Sequence, residues 1–225
     1  MGEEFRRGWH PERIAVKGSD SSVLIVGAGP AGLEAARALG NRGYSVTVTE
    51  ASRTLGGRVA RESKLPGLSA WIRVIDYRLQ QLDRLDNVDV YRESPMTTDD
   101  ILEYGFDHVV IATGASWRSD GVGRWHTHPI EVDSAAEVLT PDDIMAGTRP
   151  RGPRVVLFDD DHYYLGAVIA ELLAKEGYAV TLVTPVPQVS QWTTNTMEAH
   201  RIRARIIEAG VEVRTDTAVT AVSSN

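Results

Sequence analysis

The chain is built around Val23-Leu-Ile-Val-Gly-Ala-Gly-Pro-Ala-Gly-Leu-Glu-Ala-Ala-Arg-Ala-Leu39. The four apolar residues predict a buried β-strand, and the periodic apolar residues after GAGPAG predict an α-helix. Between them, Gly27 permits a tight turn, Gly29 lets a phosphate approach the backbone, and Gly32 lets the helix pack closely on the strand. The first N–H groups of such a helix have no acceptor within it and attract an anion. The order of elements therefore predicts a site for the pyrophosphate of a dinucleotide.

A second predicted strand, Ser45–Thr49, is followed by Glu50. An acidic residue about 20 positions beyond the glycines accepts hydrogen bonds from an adenosine ribose in this type of fold. The agreement of strand, turn, helix and acid favours an ADP-containing ligand over a tight strand–helix turn without a ligand. The glycine-rich turn Thr54–Arg58 comes next. There Arg58 is either a contact to a phosphate or the adenine edge, or a solvated turn residue.

The composition excludes several classes of function. The 225 residues can form one large or two small domains, and their 42% hydrophobic and 24% charged content is ordinary for a globular protein. A net charge of -7 argues against nucleic acid or an anionic membrane as a partner. The absence of cysteine excludes a disulfide framework and a thiolate-bound iron–sulfur cluster within these residues. No apolar run is long enough for a membrane span or a signal peptide, so we expect a cytoplasmic location.

The remaining pattern predicts two domains after a polar lead-in segment, residues 1–20. The first domain, residues 21–150, continues with a helix that starts near Ser69, a strand, a short helix and a buried strand that ends in Ala-Thr-Gly. A proline- and glycine-rich segment at 149–154 marks its end. His126 and His128 have no third ligand nearby in sequence, so no metal site is predicted.

Residues 151–225 repeat the strand–helix–strand order and form the second predicted domain. Both predicted helices end in Gly-Tyr, and alignment on that feature places Gly166 on Gly32, Tyr163 on Gly29 and Asp161 on Gly27. The ribose-binding acid position falls at Thr184. A nicotinamide dinucleotide would meet bulky side chains and negative charge at this turn. We interpret the second domain as a nucleotide fold kept for its architecture, with an Asp-rich cation site as the alternative.

Several motifs beyond the fingerprint are more specific than a general Rossmann pattern. They are Gly2–Glu12, Pro95–Asp100, Ala112–Trp117, Asp159–Gly166 and Val189–Asn195. Through them the whole chain resembles the C-terminal portion of the trimethylamine/dimethylamine/histamine dehydrogenase family, with histamine dehydrogenase most similar. The wider resemblance is to the pyridine-nucleotide–disulfide oxidoreductase fold. It implies an α/β fold class of two Rossmann-like domains, the second degenerate and both expected to lack C-terminal strands.

The resemblance implies a larger parent enzyme. Members of that family carry an N-terminal barrel domain with FMN and a 4Fe-4S cluster, form homodimers and pass electrons to a carrier such as an electron-transferring flavoprotein. Their C-terminal part binds ADP without a role in the chemistry, so the fragment itself is expected to be inactive. An alternative is the FAD-binding part of an NAD(P)H-dependent flavin oxidoreductase of the dienoyl-CoA reductase type. In that case the ADP part of FAD would occupy the site.

The resemblance carries the nucleotide contacts to positions around the first fingerprint. No catalytic residue is expected in this chain. The predicted cofactor-binding residues are Gly27, Gly29, Pro30, Ala31, Gly32, Glu50, Ala51, Gly57, Arg58, Met96, Ala112, Thr113 and Gly114.

Overall fold

A computed structural model describes residues 14–224 and divides the chain into two compact units. Most of the predicted lead-in segment, and the motif Gly2–Glu12, lie outside the described residues. The first unit runs to Ser63 and resumes over Ser69–Ala115, and the second contains Lys64–Leu68 and everything from Ser116. This division falls earlier than the sequence-based boundary after residue 150.

The first unit alternates strands with helices, as the apolar periodicities predict. Its elements are β1 (Ser22–Val26), α1 (Pro30–Arg42), β2 (Ser45–Thr49), α2 (Gly57–Glu62), a 3₁₀ helix (Ser69–Ile72), α3 (Arg73–Leu82), β3 (Val88–Tyr91), α4 (Thr98–Glu103) and β4 (His108–Ile111). All strand pairs are parallel, in the order β3-β2-β1-β4. Its core packs Ile25 and Val48 of the sheet against Leu33 of α1 and Ile75 of α3.

The second unit has a similar but smaller sheet. Its elements are β5 (Glu131–Val132), α5 (Pro141–Met145), β6 (Arg154–Phe158), α6 (Leu165–Lys175), β7 (Ala179–Val183), a 3₁₀ helix (Gln191–Thr194), α7 (Ala199–Glu208), β8 (Glu212–Arg214) and β9 (Ala221–Val222). The strands β6, β7 and β8 are parallel and adjacent in that order, and β5 pairs with β9. The predicted α/β class with parallel sheets is therefore confirmed.

The segment between 116 and 150 belongs to the second unit for a physical reason. Ile144 of α5 is buried in that unit's core, and the guanidinium of Arg149 pairs with the carboxylate of Glu176 at 2.6 Å. The helix α5 itself begins at a capping box, in which Thr140 and Asp143 satisfy each other's backbone N–H groups. This cap is not among the features predicted from the sequence, although a Thr-x-x-Asp spacing is typical of one. No helix within residues 14–224 has the length and apolar character needed to cross a bilayer.

Candidate functional site

The turn after β1 is shaped by two glycines. Gly27 has φ +104°, and its N–H donates to the carbonyl of Thr49 at 2.7 Å. A Cβ at Gly27 would collide with the carbonyl of Ala112, and a Cβ at Gly32 would collide with the carbonyl of Gly27. These glycines are therefore required by close backbone packing, as the sequence analysis predicted from their spacing.

The third glycine of the fingerprint serves a different purpose. Gly29 is the N-cap of α1, and a Cβ there would meet no atom within 4 Å. The helix then starts with Pro30, which has no N–H group, so Ala31 and Gly32 carry N–H groups without an acceptor inside the helix. Its first turn contains no acidic residue. Open space beside unpaired N–H groups at the positive end of a helix suits an anion such as a pyrophosphate.

Glu50 lies at the carboxyl end of β2 and is held in one orientation. Its Oε2 accepts the N–H of Ala28 at 2.9 Å, and its Oε1 accepts both the N–H and the hydroxyl of Ser52 at 2.9 Å. Partial burial alone would raise the pKa of Glu50, but these three donors hold the pKa below its usual value. The side chain is therefore ionised at neutral pH and is an acceptor only.

The hydroxyl of Ser52 controls how many acceptor sites Glu50 can offer. Each carboxylate oxygen has two lone pairs, so Oε2 retains one while Oε1 has both engaged. The Ser52 hydroxyl, however, has a single proton and a second acceptor, the carbonyl of Thr54, at 2.8 Å. When the hydroxyl rotates so that its hydrogen bonds to the Thr54 carbonyl, one lone pair of Oε1 becomes available. Glu50 can then accept one ribose hydroxyl on each carboxylate oxygen. Ser52 is not among the predicted site residues, and its only signal in the sequence is a hydroxyl two positions after the acid.

The glycine-rich turn before α2 lies close to the turn after β1. Gly57, at φ +53°, begins α2, and a Cβ there would lie 3.2 Å from the Cα of Gly29. Its neighbour Gly56 was not predicted, but it has φ +108° and donates to the carbonyl of Ala28 at 2.8 Å. The glycine-rich turn is thus fixed beside the first fingerprint.

Four of the predicted residues lie at the edge of this arrangement. Arg58 donates to the carbonyl of Ala115 at 2.6 Å. Ala112 donates to the carbonyl of Val26 at 2.8 Å, which places the Thr113 and Gly114 backbone after β4. The side chain of Thr113 is exposed. Two further predicted residues are described by position alone: Ala51 is exposed after Glu50, and Met96 is half-buried in the loop before α4.

The corresponding turn of the second unit differs in length and charge. The N–H of Asp159 donates to the carbonyl of Val183 at 2.8 Å, as that of Gly27 does to Thr49, so Asp159 is the structural equivalent of Gly27. The alignment of Asp161 on Gly27 was therefore wrong. Gly166 lies seven residues after Asp159, whereas Gly32 lies five residues after Gly27. The turn of the second unit therefore contains two additional residues, and an alignment anchored at Gly166 is displaced by two positions at the start of the turn.

Asp159 accepts two backbone N–H groups of its own turn. The residue is 3% exposed, and its Oδ1 accepts the N–H groups of Asp161 and His162 at 3.2 and 3.3 Å. Burial is the main cause that raises its pKa, to about 6, and the charges of Asp160 and Asp161 raise it further against these hydrogen bonds. A Cβ at Gly166 would lie 2.6 Å from the Asp159 Cγ, so this glycine accommodates a carboxyl group.

The ribose-binding position is also changed in the second unit. Thr184 follows β7 as Glu50 follows β2. Its N–H donates to the carbonyl of Arg214, and the N–H of Glu50 donates in the same way to the carbonyl of Tyr91. Thr184 is fully buried, and its hydroxyl has no hydrogen-bond partner. Within residues 14–224, no group of three or more His, Asp or Glu side chains is arranged to hold a metal ion.

Comparison with known proteins also finds two parts in the chain, which meet near residue 140. Residues 21–141 match the family described as pyridine nucleotide-disulphide oxidoreductase, and residues 139–225 match the OYE-like second alpha/beta domain. The first match covers more than half of the chain. The chain belongs to the pyridine nucleotide-disulphide oxidoreductase family.

Three of the similar proteins are named as amine dehydrogenases or as an amine oxidase. The chain is 42% identical to dimethylamine dehydrogenase from Hyphomicrobium sp. (strain x), over 96% of this chain and 30% of that protein. The structure of histamine dehydrogenase from Rhizobium sp. 4-9 superposes with a TM-score of 0.93 at 55% identity, over 96% of this chain and 34% of that one. For 6-hydroxypseudooxynicotine amine oxidase from Pseudomonas geniculata N1 the TM-score is 0.91 at 45% identity, over 98% and 33%.

These matches confirm the predicted resemblance to the dimethylamine and histamine dehydrogenases. The chain spans about a third of the length of these relatives. It is thus homologous to one part of larger oxidoreductases.

Proposed function

We propose that the first unit binds the ADP moiety of a nucleotide and that the chain is the non-catalytic part of an iron–sulfur flavoprotein amine dehydrogenase. The observation that carries the nucleotide assignment is the pairing of an open helix N-terminus at Gly29 with the fixed carboxylate of Glu50. Gly29 leaves room for a pyrophosphate, and Glu50 offers acceptors to a ribose. The thirteen residues predicted from the sequence remain our proposal for the contacts.

The absence of a second nucleotide site in this proposal rests on the charge of the second turn. A pyrophosphate there would approach Asp159, Asp160 and Asp161, and it would find two turn N–H groups already bonded to Asp159. Electrons taken from an amine would then have no nicotinamide acceptor on this chain. We propose that the parent enzyme passes them singly to a carrier protein such as an electron-transferring flavoprotein.

The proposal assigns the redox chemistry to the parent's barrel domain, with FMN and a 4Fe-4S cluster, in a homodimer. This chain has no cysteine to ligate such a cluster. Its own residues would bind and orient the nucleotide, and the chain alone should oxidise no amine. The cytoplasmic location expected from the sequence stays a prediction.

The nucleotide assignment is tested by identifying what purified protein releases on denaturation. ADP by mass, without flavin absorbance, supports the proposal. FAD would favour the alternative, the flavin-binding part of an NAD(P)H-dependent oxidoreductase, which the pyridine nucleotide-disulphide oxidoreductase match also allows.

The role of Glu50 is tested by calorimetry with ADP on Glu50→Gln and Glu50→Ala. Glutamine keeps the shape but turns an NH₂ donor toward the N–H of either Ala28 or Ser52. Because hydrogen bonds to a charged group contribute about 1.5–3 kcal/mol each, the loss should be roughly tenfold or more in affinity. The loss should shrink with 2′,3′-dideoxy-ADP, which has no ribose hydroxyls to bind. An unchanged affinity for ADP would contradict the assignment.

A further inference from the structure

The indole ring of Trp192 is held in place next to the acidic turn at 159–161 of the second unit. It belongs to the 3₁₀ helix Gln191–Thr194, and its backbone N–H donates to the carbonyl of His162 at 3.0 Å. The ring of Tyr163 stands perpendicular to the indole with the ring centres 5.3 Å apart, and the imidazole of His162 lies 5.9 Å away. Edge-to-face contacts of this kind favour one orientation of an aromatic ring. Trp192 therefore presents a fixed π surface beside the turn.

A cation from the chain itself covers this ring. The Cζ of Arg124 lies 4.2 Å from the centre of the Trp192 ring, and its Nη2 lies 3.8 Å from Oδ1 of Asp161. An aromatic face attracts a cation through its quadrupole, and tryptophan does so most strongly. The guanidinium is thus held by an aromatic face and a carboxylate, which are the groups that recognise an organic cation.

Asp160 holds the backbone of the same loop. Its two carboxylate oxygens accept the N–H of Trp125 at 3.1 and 2.9 Å, and a Cβ at Gly123 would collide with one of them. The Asp160 side chain is only 12% exposed. Residues 123–125 are therefore attached to the acidic turn twice, by a backbone contact to Asp160 and by a side-chain contact to Asp161.

The imidazole of His162 does not supply a competing cation. The residue is buried, and burial is the main cause that lowers its pKa. Arg124 acts in the same direction, and the charges of Asp160 and Asp161 oppose it. Since the imidazole is neutral at neutral pH, the guanidinium of Arg124 is the positive charge at the Trp192 ring.

The contact that Arg124 makes is a replaceable one. Its side chain is 48% exposed, and the 3.8 Å between its Nη2 and the Asp161 carboxylate is longer than a hydrogen bond. An ion pair of this geometry contributes little to stability, because water solvates both partners. A cation from solution can therefore reach the same ring and the same carboxylate.

We propose that Trp192 and Asp161 form a binding site for a small organic cation with N–H donors, a guanidinium or an alkylammonium, and that Arg124 is its built-in competitor. When such a cation binds, the Arg124 side chain is displaced and residues 123–125 lose one of their two attachments to the turn. The protonated amines that the proposed parent enzyme oxidises belong to this class. The site itself depends neither on that proposal nor on nucleotide binding.

Ethylguanidinium, which copies the head group of Arg124, and its uncharged analogue ethylurea test the site by NMR titration of the Trp192 indole N–H. In Arg124→Ala we expect saturable binding of ethylguanidinium with a millimolar dissociation constant, and about tenfold weaker binding of ethylurea. The wild type should bind ethylguanidinium about tenfold more weakly than Arg124→Ala, because its tethered guanidinium competes. Arg118→Ala is the matched control, since it removes an arginine that pairs with Asp120 and should behave as the wild type.

A second measurement uses the wild-type protein alone. The amide of Trp125 should exchange its hydrogen severalfold faster with ethylguanidinium than with ethylurea, because displacement of Arg124 loosens the N–H that Asp160 holds. The amide of Leu182, in the middle of β7, reports general destabilisation and should exchange equally with both additives. Equal exchange of the Trp125 amide with both additives would overturn the proposal.

Three other results would also overturn it. The first is that Arg124→Ala binds no ethylguanidinium, or binds ethylurea equally well, so that charge is not recognised. The second is that the double variant Arg124→Ala, Trp192→Leu still binds ethylguanidinium, as followed at the Trp125 amide. The third is a response to calcium chloride and none to ethylguanidinium at equal ionic strength, which would identify the Asp-rich cation site considered from the sequence as a metal site. None of these results bears on ADP binding, which is measured separately on the same proteins.

Discussion

Replacement of Asp159 by asparagine should remove most of the pH dependence of the second unit's stability between pH 4 and 7. The carboxyl is 3% exposed, and its Oδ2 has no hydrogen-bond partner. Its pKa is raised from 3.8 to about 6, first by burial and then by the neighbouring acids, against two backbone hydrogen bonds. Asparagine has the same shape, keeps an oxygen for the N–H groups of Asp161 and His162, and carries no charge.

The sign and size follow from the two pKa values. The folded state binds the Asp159 proton more tightly than the unfolded state does, so the stabilising contribution is complete below pH 3.8. It is lost as the pH rises to about 6. This difference in pKa corresponds to about 3 kcal/mol. Asp159→Asn should therefore match the wild type near pH 4 and exceed its free energy of unfolding by up to about 3 kcal/mol at pH 7.

Hydrogen exchange of the α6 amides measures the stability of the second unit separately from the first. Rates corrected for the intrinsic effect of pH give the free energy of opening at pH 4, 5, 6 and 7. Asp161→Asn is the matched control, since it removes a partly exposed charge from the same turn and leaves the buried carboxyl in place. A wild-type pH dependence that persists in Asp159→Asn would refute the reasoning.

Four further predictions concern two glycines, a helix cap and the second turn. Gly29→Ala should leave thermal stability unchanged but weaken ADP binding at least tenfold by calorimetry, because its Cβ projects into open space where a phosphate would lie. Gly32→Ala should instead lower the melting temperature by several degrees, because its Cβ meets the Gly27 carbonyl. Thr140→Ala should cost about 1 kcal/mol in denaturant unfolding through the lost capping box, with Thr140→Ser retaining it. An NADPH titration should show no saturable binding at residues 159–166 in the presence of excess ADP, and a micromolar dissociation constant there would contradict the electrostatic argument.

The parts of the fold that the sequence could predict are those set by local periodicity and local backbone geometry. The strand over 23–26 and the helix after it follow from apolar spacing, and the glycines of the turn follow from steric demands that the structure shows directly. Glu50 was located by its place after a strand. Each of these features is encoded within a few residues of where it acts.

The features that the sequence analysis missed depend on contacts between distant segments or on turn length. The position of Asp159 opposite Gly27 is visible only through its hydrogen bond to Val183, because an insertion within a turn leaves no periodic signal. The helix α2 is six residues long and begins with glycine, which propensity disfavours. Likewise, the packing of Ile144 and the pairing of Arg149 with Glu176 are contacts between segments that local periodicity does not relate.

The two units use a carboxylate at the same end of the sheet in opposite ways. In the first unit Glu50 lies after the second strand, is held ionised by donors from its own segment and from Ala28, and leaves the N–H groups of α1 free. In the second unit Asp159 lies after the first strand and accepts the turn N–H groups itself. The Asp159 carboxylate thus engages two N–H groups of the turn and adds negative charge where an external phosphate would approach. On the proposed function, the same strand–turn–helix arrangement holds a nucleotide in the first unit and excludes one in the second, according to which strand the acidic residue follows.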